Sequence, residues 1–427
     1  MTNRRGFFSA ACGAVAFLDG AVQRARAAAA TRSGRGSSEV AADEDYWSEV
    51  RHAFSIDRNV INLNNASVCP APKVVKEAMY RYLEIMNMQP SYYVDELLIP
   101  HSEGLRRRLA AAFGCDAEEI AITRNATEAL EILQMGLDLK AGDEVLTTTQ
   151  DYPKTLTAWR MREQRHGIVL KTMAFPTPPP SLDDLYERFA SAISPRTRVI
   201  LLCHMTYTTG QIFPVKKICR MARERGIETI VDGAQTFGHL PFVRDDLDCD
   251  YYATSLHKWL LAPVGTGFLY VRKPRISNIW PLFSSPAPRS SDIRKFEGIG
   301  TFPVAARNAI SEALAFQDTI GLDRKAARLR YLREGWCRRL EKLPGVRILT
   351  SFDPAQSCGM GAFRIDGIDC DALTEYLMKK YQVHVRARHV KGEFSAIRVT
   401  PNVYTTLEEI GVFCSAIEDT VRQGKLA

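Results

Sequence analysis

The stretch Ile230-Val231-Asp232-Gly233-Ala234-Gln235 decides the predicted fold, because an apolar strand ends there in an acid followed by glycine. In open parallel sheets, ligands bind outside the carboxyl ends of the strands. A later apolar strand ends in Thr254-Ser255-Leu256-His257-Lys258-Trp259. If both strands belong to one sheet, Asp232 and Lys258 face the same ligand. The alternatives left open are a turn aspartate and a lysine exposed at a strand end.

Lys258 lies in an otherwise apolar and aromatic stretch. Burial of a charged amine is costly, so burial lowers its pKa and makes the amine nucleophilic. A nucleophilic lysine is what Schiff-base chemistry requires. Lys258 is therefore the predicted reactive amine.

A third segment, Thr123-Arg124-Asn125-Ala126-Thr127-Glu128-Ala129, predicts a strand that runs into a capped helix. Asn125 followed three residues later by Glu128 is a capping-box pattern. Free N–H groups at a helix N-terminus bind phosphate, and Thr127 adds a hydroxyl. An ordinary capped helix without a ligand explains the same pattern, so this segment alone leaves both interpretations open.

Apolar runs alternate with helical patterns over residues 70–305, which predicts an α/β domain with a mostly parallel sheet covered on both faces. Helices are predicted at 128–139 and 215–225. Residues 43–69 form an N-terminal segment, and residues 306–427 predict a smaller α+β domain. The seven predicted strands of the large domain are 119–123, 144–148, 169–173, 199–203, 228–231, 251–255 and 267–271.

The N-terminus has the pattern of an export signal. Arg4-Arg5-Gly6-Phe7-Phe8 is a twin-arginine motif followed by small and apolar residues, and Ala25-Arg26-Ala27 offers a cleavage site. We therefore expect a signal peptide at 1–30 and a flexible linker at 31–42. The expected location is periplasmic or extracellular in a bacterium, or cytoplasmic if the leader is not functional. A disordered Ala/Arg tail is the alternative.

The remaining composition excludes several classes of protein. The formal charge is only +7, without a basic tract interleaved with aromatics, so no nucleic-acid partner is expected. The ten cysteines include no Cys-x-x-Cys pair, so no metal site or redox motif is expected. No segment after the leader is apolar enough to suggest a membrane span.

Together these segments resemble the class V aminotransferase family of fold-type I pyridoxal-phosphate enzymes, in its isopenicillin N epimerase-like and cysteine desulfurase-like branch. The resemblance begins at Asn62-Leu63-Asn64-Asn65-Ala66-Ser67 and ends near Arg398. It implies pyridoxal 5′-phosphate as cofactor, a homodimer, and an enzyme that acts at Cα of an amino acid or an amino-acid-derived substrate.

The resemblance also implies the roles of the residues that hold the cofactor. Lys258 is the Schiff-base lysine and general base, and Asp232 pairs with the ring nitrogen. Gln235 reaches the phenolic oxygen. The residues expected to hold the phosphate are Ala126, Thr127, Ser255 and His257.

Further roles carry alternatives. Tyr152 lies near the ring-stacking position, with packing of a loop as the alternative, and Tyr207 stands where the family often has Asn. Thr301 resembles the threonine that reaches the neighbouring subunit's phosphate, with a capping role as the alternative. Arg398 resembles the arginine that binds the substrate carboxylate, with a surface charge as the alternative. Asn65, in the opening segment, is the other predicted substrate-binding residue.

Residues 386–398 contain no cysteine; Lys391 stands roughly where a cysteine desulfurase carries its catalytic thiol. A persulfide-forming desulfurase is therefore not expected, since only a thiolate could accept the sulfur. Epimerase, transaminase and β-lyase remain open, with an isopenicillin N epimerase-like enzyme favoured. A catalytically silent cofactor-binding protein is the rival of another class. A dehydrogenase is disfavoured because a Gly-x-Gly-x-x-Gly turn is missing.

Overall fold

The computed structural model describes residues 20–32 and 34–424. The twin-arginine motif at Arg4-Arg5 lies outside these residues. Within them, no helix is both long and apolar enough to cross a membrane. The nine cysteines of this part of the chain are all free, and eight of them are buried, as expected for core thiols.

The large sheet has seven strands, mostly parallel, which confirms the predicted fold class. The last strand, β8, is antiparallel to both of its neighbours, β2 and β7. The spatial order is β2-β8-β7-β6-β5-β3-β4. The strands are β2 (Ile120–Thr123), β3 (Glu144–Thr148), β4 (Val169–Met173), β5 (Thr197–Cys203), β6 (Glu228–Asp232), β7 (Tyr251–Ser255) and β8 (Gly267–Val271), after a short β1 (Ile61–Asn62).

Helices connect these strands, and side chains cap the start of some of them. Asn125 caps the helix that follows β2, since its side chain accepts the Glu128 N–H at 2.9 Å. That helix begins two residues before the predicted start. The helices up to β8 are α1 (Gly20–Ala30), α2 (Ser37–Ala41), α3 (Glu44–Arg51), α4 (Lys73–Met88), α5 (Pro90–Tyr93), α6 (Ile99–Phe113), α7 (Ala126–Gly136), α8 (Pro153–His166), α9 (Leu182–Ala192) and α10 (Val215–Glu224).

The C-terminal part contains a four-stranded antiparallel sheet in the order β12-β13-β10-β9. The short strands β1 and β11 pair in parallel beside it, so the N-terminal segment adds to this region. The remaining elements are α11 (Val304–Asn308), α12 (Ile310–Ile320), α13 (Leu322–Leu340), β9 (Val346–Ile348), β10 (Gly361–Ile365), α14 (Cys370–Tyr381), β11 (Val383–His384), β12 (Arg386–Val390), β13 (Phe394–Val399) and α15 (Leu407–Gln423).

Helix α13 joins the two main hydrophobic cores. Leu329 packs into the core of the large sheet, whereas Leu332 and Trp336 pack into the core of the smaller sheet. Leu63 also belongs to the second core. The predicted domain boundaries stay predictions, but both cores are tied together by one continuous helix.

The expected flexible linker at 31–42 differs from the structure. Helix α2 lies within it, and Val40 is fully buried in the main core. The Ser/Gly/Ala/Arg-rich composition of this segment predicted a flexible linker, because one apolar side chain such as Val40 has little effect on composition. Helix α1 also packs on the body of the protein, since Ala25 is buried and Arg26 Nε donates to Thr319 Oγ1 at 3.3 Å.

Candidate active site

A cavity of about 710 Å³ opens where the carboxyl ends of β5, β6 and β7 meet the small sheet. Asp232 ends β6, and Lys258 follows the end of the neighbouring strand β7. Both residues line the cavity. The parallel pairing of β6 with β7 is what brings together two residues that are distant in sequence.

The electrostatics of this pair follow from burial. Burial lowers the pKa of Lys258 to about 8, as predicted, while the charge of Asp232 acts in the opposite direction. Burial also raises the pKa of Asp232 to about 6, opposed by the Ala234 N–H and by Lys258. Oδ1 of Asp232 accepts that N–H at 2.9 Å. Its Oδ2 has no partner among the described residues and is left for a ligand.

The N-terminus of α7 forms one end of the cavity. Ser255 Oγ accepts the Ala126 N–H at 2.9 Å, which fixes this hydroxyl at the helix start. Gly267 permits the close approach of β8, because a Cβ there would lie 2.6 Å from Thr254 O and 2.7 Å from Asn125 Cα. This end offers helix N–H groups and hydroxyls, as a phosphate requires.

His257 belongs to the same end of the cavity. Its Nδ1 lies 3.2 Å from Thr266 O, which orients the ring. Burial and the neighbouring Lys258 lower its pKa to about 4, so the ring is neutral near pH 7. A neutral ring with Nδ1 bonded to a carbonyl leaves Nε2 as an acceptor.

Gln235 is held by two contacts. Its Nε2 donates to Ala66 O at 3.0 Å, and its Oε1 accepts the Trp259 Nε1–H at 2.8 Å. The amide nitrogen keeps a second hydrogen that faces no described acceptor. Gln235 therefore retains the donor that its predicted role requires.

Two tyrosines line the cavity beside Lys258. The rings of Tyr152 and Tyr207 meet edge to face, with centroids 5.5 Å apart. Tyr152 is 37% exposed, so a bound ring could cover it. Tyr207 is more enclosed, and burial raises the pKa of its phenol.

Arg398 lies at the other end of the cavity and is only 1% exposed. Its Nη1 donates to Tyr207 O at 2.8 Å, and its Nη2 donates to Asn64 Oδ1 and Ser67 Oγ, both at 2.9 Å. Its Nε is buried without a partner in the described part of the chain. The predicted alternative of a surface charge is therefore wrong.

Two predicted site residues do not join this cavity. Thr301 is exposed on the turn after a 3-10 helix, outside the cavity of its own chain. Asn65 is fully buried, and its side chain bonds to Thr400 O, Asn62 O and the Tyr404 hydroxyl. Its amide is already satisfied by protein, so the prediction that Asn65 binds substrate needs correction.

Sequence reasoning missed Asn64, Ser67 and Arg388. The first two hold Arg398, and Arg388 lines the cavity beside it. The alternation Arg386-x-Arg388 in a strand was the available signal, since residues two apart share one face of a sheet. The contacts of Asn64 and Ser67 had no local signal because their partner is more than 300 residues away.

The residues present fit pyridoxal phosphate. The phosphate end supplies the hydroxyls of Thr127 and Ser255 and a helix N-terminus, whereas Nε2 of the neutral His257 offers no hydrogen to a phosphate oxygen. A carboxylate with a free oxygen and an amine line the middle of the cavity, and an aromatic ring with an exposed face stands beside them. When bound, this cofactor supplies an electron sink for a substrate carbanion.

Comparisons with known proteins agree with this geometry. The family profile described as aminotransferase class-V matches residues 61–413. The chain is 31% identical to isopenicillin N epimerase of Streptomyces clavuligerus over 390 residues, which covers 87% of this chain and 98% of the relative. A probable cysteine desulfurase of Synechocystis is 26% identical and covers 87% of this chain and 95% of the relative.

A solved structure supports the same fold. The apo cysteine desulfurase of Thermococcus onnurineus superposes with a TM-score of 0.78 at 22% identity, covering 88% of this chain and 98% of that chain. The cofactor is pyridoxal 5′-phosphate, on the strength of the family match. The chain therefore belongs to the aminotransferase class-V family, and it is a pyridoxal-phosphate-dependent enzyme with the fold-type I architecture.

Proposed function

We propose that this enzyme epimerises the Cα centre of an amino acid or an amino-acid-derived substrate. The observation that carries the proposal is the 31% identity to isopenicillin N epimerase across 98% of that protein. A second epimerase, from Amycolatopsis lactamdurans, is also 31% identical and 98% covered. The arrangement of Lys258 and Arg398 in one cavity supports the same reaction class.

Lys258 supplies the base for this reaction. Its pKa of about 8 leaves a useful fraction of free amine near neutral pH. Arg398 fixes the substrate carboxylate, and a fixed carboxylate orients the Cα–H bond towards one face of the cavity. Asp232, as a carboxylate, keeps the cofactor's ring nitrogen protonated.

Epimerisation also needs a proton donor on the opposite face of Cα. The phenols of Tyr152 and Tyr207 line the cavity, and neither hydroxyl has a described hydrogen-bond partner. Burial raises the pKa of Tyr207, so its phenol carries a proton at neutral pH although it is a weaker acid than an exposed phenol. These two phenols are the candidates for the second proton transfer.

Thiol chemistry finds no support in the cavity. Cys203 lines it, but burial raises its pKa well above the ordinary value, and its Sγ is 3.2 Å from Asp151 Oδ1. A thiol held protonated in this way is a poor sulfur acceptor. The missing cysteine in residues 386–398 points in the same direction.

The test is solvent exchange at Cα. Purified holoenzyme is incubated in deuterium oxide with single enantiomers of an amino-acid panel, and products are analysed by NMR and chiral chromatography. Epimerisation gives both enantiomers, with deuterium at Cα and the amine retained. Lys258→Ala is the control and should show no exchange.

Other products would point elsewhere. A keto acid with loss of the amine from the substrate would indicate transamination, and release of a β-substituent would indicate a lyase. Either product without epimerisation overturns the proposal. So does a panel that includes dicarboxylic amino acids and shows no exchange at all.

We also propose a homodimer in which Thr301 serves the neighbouring subunit. Thr301 is exposed and lies outside its own cavity. Tyr80, Met88 and Tyr92 expose 57%, 64% and 50% of their surface on α4 and α5, which is unusual for large apolar side chains and typical of an interface. Thr301→Ala should weaken cofactor retention without dissociating the dimer in sedimentation; unchanged retention counts against a shared site.

Export by the twin-arginine route remains a proposal that rests on Arg4-Arg5. Because Ala25 is buried against the body, cleavage at Ala25-Arg26-Ala27 requires α1 to be undocked. Changing Arg4 and Arg5 to lysine should leave the protein in the cytoplasmic fraction of the cell. Equal periplasmic recovery of both forms would contradict export by this route.

A further inference from the structure

Three arginines crowd the substrate end of the cavity. Arg386 lies directly opposite Arg398 in the antiparallel pair β12–β13, so both side chains share one face of the sheet. Arg388 is two residues along β12 and shares that face. All three line the cavity.

Arg388 and Arg398 are side by side. Ser67 Oγ accepts Nη2 of Arg398 at 2.9 Å and Nη2 of Arg388 at 3.3 Å. The guanidinium of Arg388 also lies over the Tyr207 ring, 5.6 Å from its centroid. Every hydrogen-bond partner of these two arginines in the described part of the chain is neutral.

The acids near this end are engaged with other groups. Asp371 Oδ2 lies 3.1 Å from His389 Nε2, and Glu375 pairs with Lys379 at 3.5 Å. Glu393, at the β12–β13 turn, is 3.5 Å from Gln150 Nε2. None of the three acids forms an ion pair with an arginine of the cavity in the described part of the chain.

This arrangement is costly in the absence of a ligand. Like charges directly opposite on paired strands destabilise a sheet, and burial of unpaired charge adds to the cost. The Nε atoms of both Arg388 and Arg398 are buried without partners. A single carboxylate occupies one guanidinium fork, so the α-carboxylate at Arg398 leaves Arg388 unsatisfied.

We propose that Arg388, with Arg386 beside it, forms a second anion subsite and that the substrate is an amino acid with a second carboxylate. This inference rests on the proposed function for the assignment of Arg398 to the α-carboxylate. The cavity, at about 710 Å³, has room for the cofactor and such a substrate together. The cofactor phosphate would be held by Thr127, Ser255 and the start of α7, which leaves Arg388 for the substrate.

The test compares matched amino acids that differ in the second charge. Apparent Kd values for holoenzyme are measured from the change in the visible absorption of the cofactor. The pairs are glutamate with glutamine and α-aminoadipate with norleucine, and O-phosphoserine distinguishes phosphate from carboxylate. At least one dicarboxylic member should bind about tenfold or more tightly than its neutral partner.

Arg388→Gln should remove this preference by weakening the dicarboxylic ligand alone, and Arg388→Lys should retain part of it. Arg347→Gln is the matched control, because Arg347 lies on β9 of the same sheet, pairs with Asp366 and does not line the cavity. It should leave every Kd unchanged. The comparison of charged with neutral ligands in the unmodified enzyme tests the proposal even if a variant fails to fold.

Three results would overturn the subsite. One is equal binding of charged and neutral partners by the unmodified enzyme. Another is equal weakening of both by Arg388→Gln, as expected if Arg388 only supports Tyr207 or Arg398. The third is a preference for O-phosphoserine over both dicarboxylic acids. Failure of the epimerase proposal is separate, since a keto acid formed from a tightly bound dicarboxylic substrate overturns epimerisation and leaves the subsite intact.

Discussion

The two ends of the cavity are built differently. The cofactor end comes from the ends of β6 and β7 and the start of α7, and its opposite charges, Asp232 and Lys258, balance each other. The substrate end comes from the opening segment, β12 and β13. Its arginines have only neutral partners in the described structure.

This difference indicates that the two ends have different roles, with catalysis at the cofactor end and substrate recognition at the substrate end. The cofactor end contains the acid and the amine that act on the cofactor, so changes there should affect the reaction itself. The substrate end has an excess of positive charge that a ligand must neutralise, so changes there should affect binding first. Variants of the two ends should therefore differ in kind as well as in size.

The largest expected effect is at Lys258. Lys258→Ala removes the proton-transfer group, and we expect turnover to fall by about 10⁴-fold or more, beyond the usual contribution of a general base. Steady-state kinetics on any accepted substrate measures the loss. A variant that keeps more than a tenth of the activity would contradict the role of Lys258.

The next effect is at Arg398. Arg398→Lys keeps a charge but loses the fork that holds Asn64, Ser67 and a carboxylate. We expect kcat/KM to fall by roughly 10- to 100-fold, mainly through KM. A fall confined to kcat would show that Arg398 acts in the chemical step and not in substrate binding. The proposed difference between the two ends of the cavity would then be wrong.

A smaller effect concerns pH. The free amine of Lys258 captures the cofactor, so the rate of capture by apoprotein should rise with pH, reach half of its maximum at about pH 8 and level off at higher pH. Asp232 raises the Lys258 pKa, so Asp232→Asn should move the midpoint to lower pH. Stopped-flow absorbance across pH 6 to 10 measures both curves. A midpoint that moves upward would mean that the two groups do not interact as described.

The smallest effect on activity is expected at Asn65. Asn65→Ala removes the side-chain acceptor of the Tyr404 hydroxyl and a side-chain donor to Thr400 O in a fully buried place, so unfolding free energy should fall by about 1–3 kcal/mol. Chemical denaturation measures this change. KM should stay within about twofold when assayed well below the unfolding temperature, whereas a large rise in KM would restore Asn65 to the substrate site.

The same contrast explains what could be predicted from sequence. Residues at strand ends, such as Asp232, can be predicted from the neighbouring sequence alone. A polar residue that directly follows an apolar strand lies at the edge of the sheet, where ligands bind. Four of the seven large-sheet strands have the predicted bounds, including those that end at Thr148 and Ser255.

The substrate end depends on pairing between distant segments. Nothing near Ser67 indicates that it meets Arg398, and the choice between Asn64 and Asn65 depends on which side chain faces the core. The burial of Val40 could not be predicted for a similar reason. One apolar residue in a polar stretch does not indicate which distant residues it packs against.

The central claim is that Lys258, and no other buried amine, serves the cofactor beside Asp232. Lys325 is the sharpest competitor, because it is fully buried and burial lowers its pKa to about 7. However, it is bonded to Gln317 and Trp259 and lies outside the cavity. Borohydride reduction of holoenzyme followed by peptide mass spectrometry should place the pyridoxyl group on Lys258 alone; a label on Lys325, or on no lysine, would contradict the account.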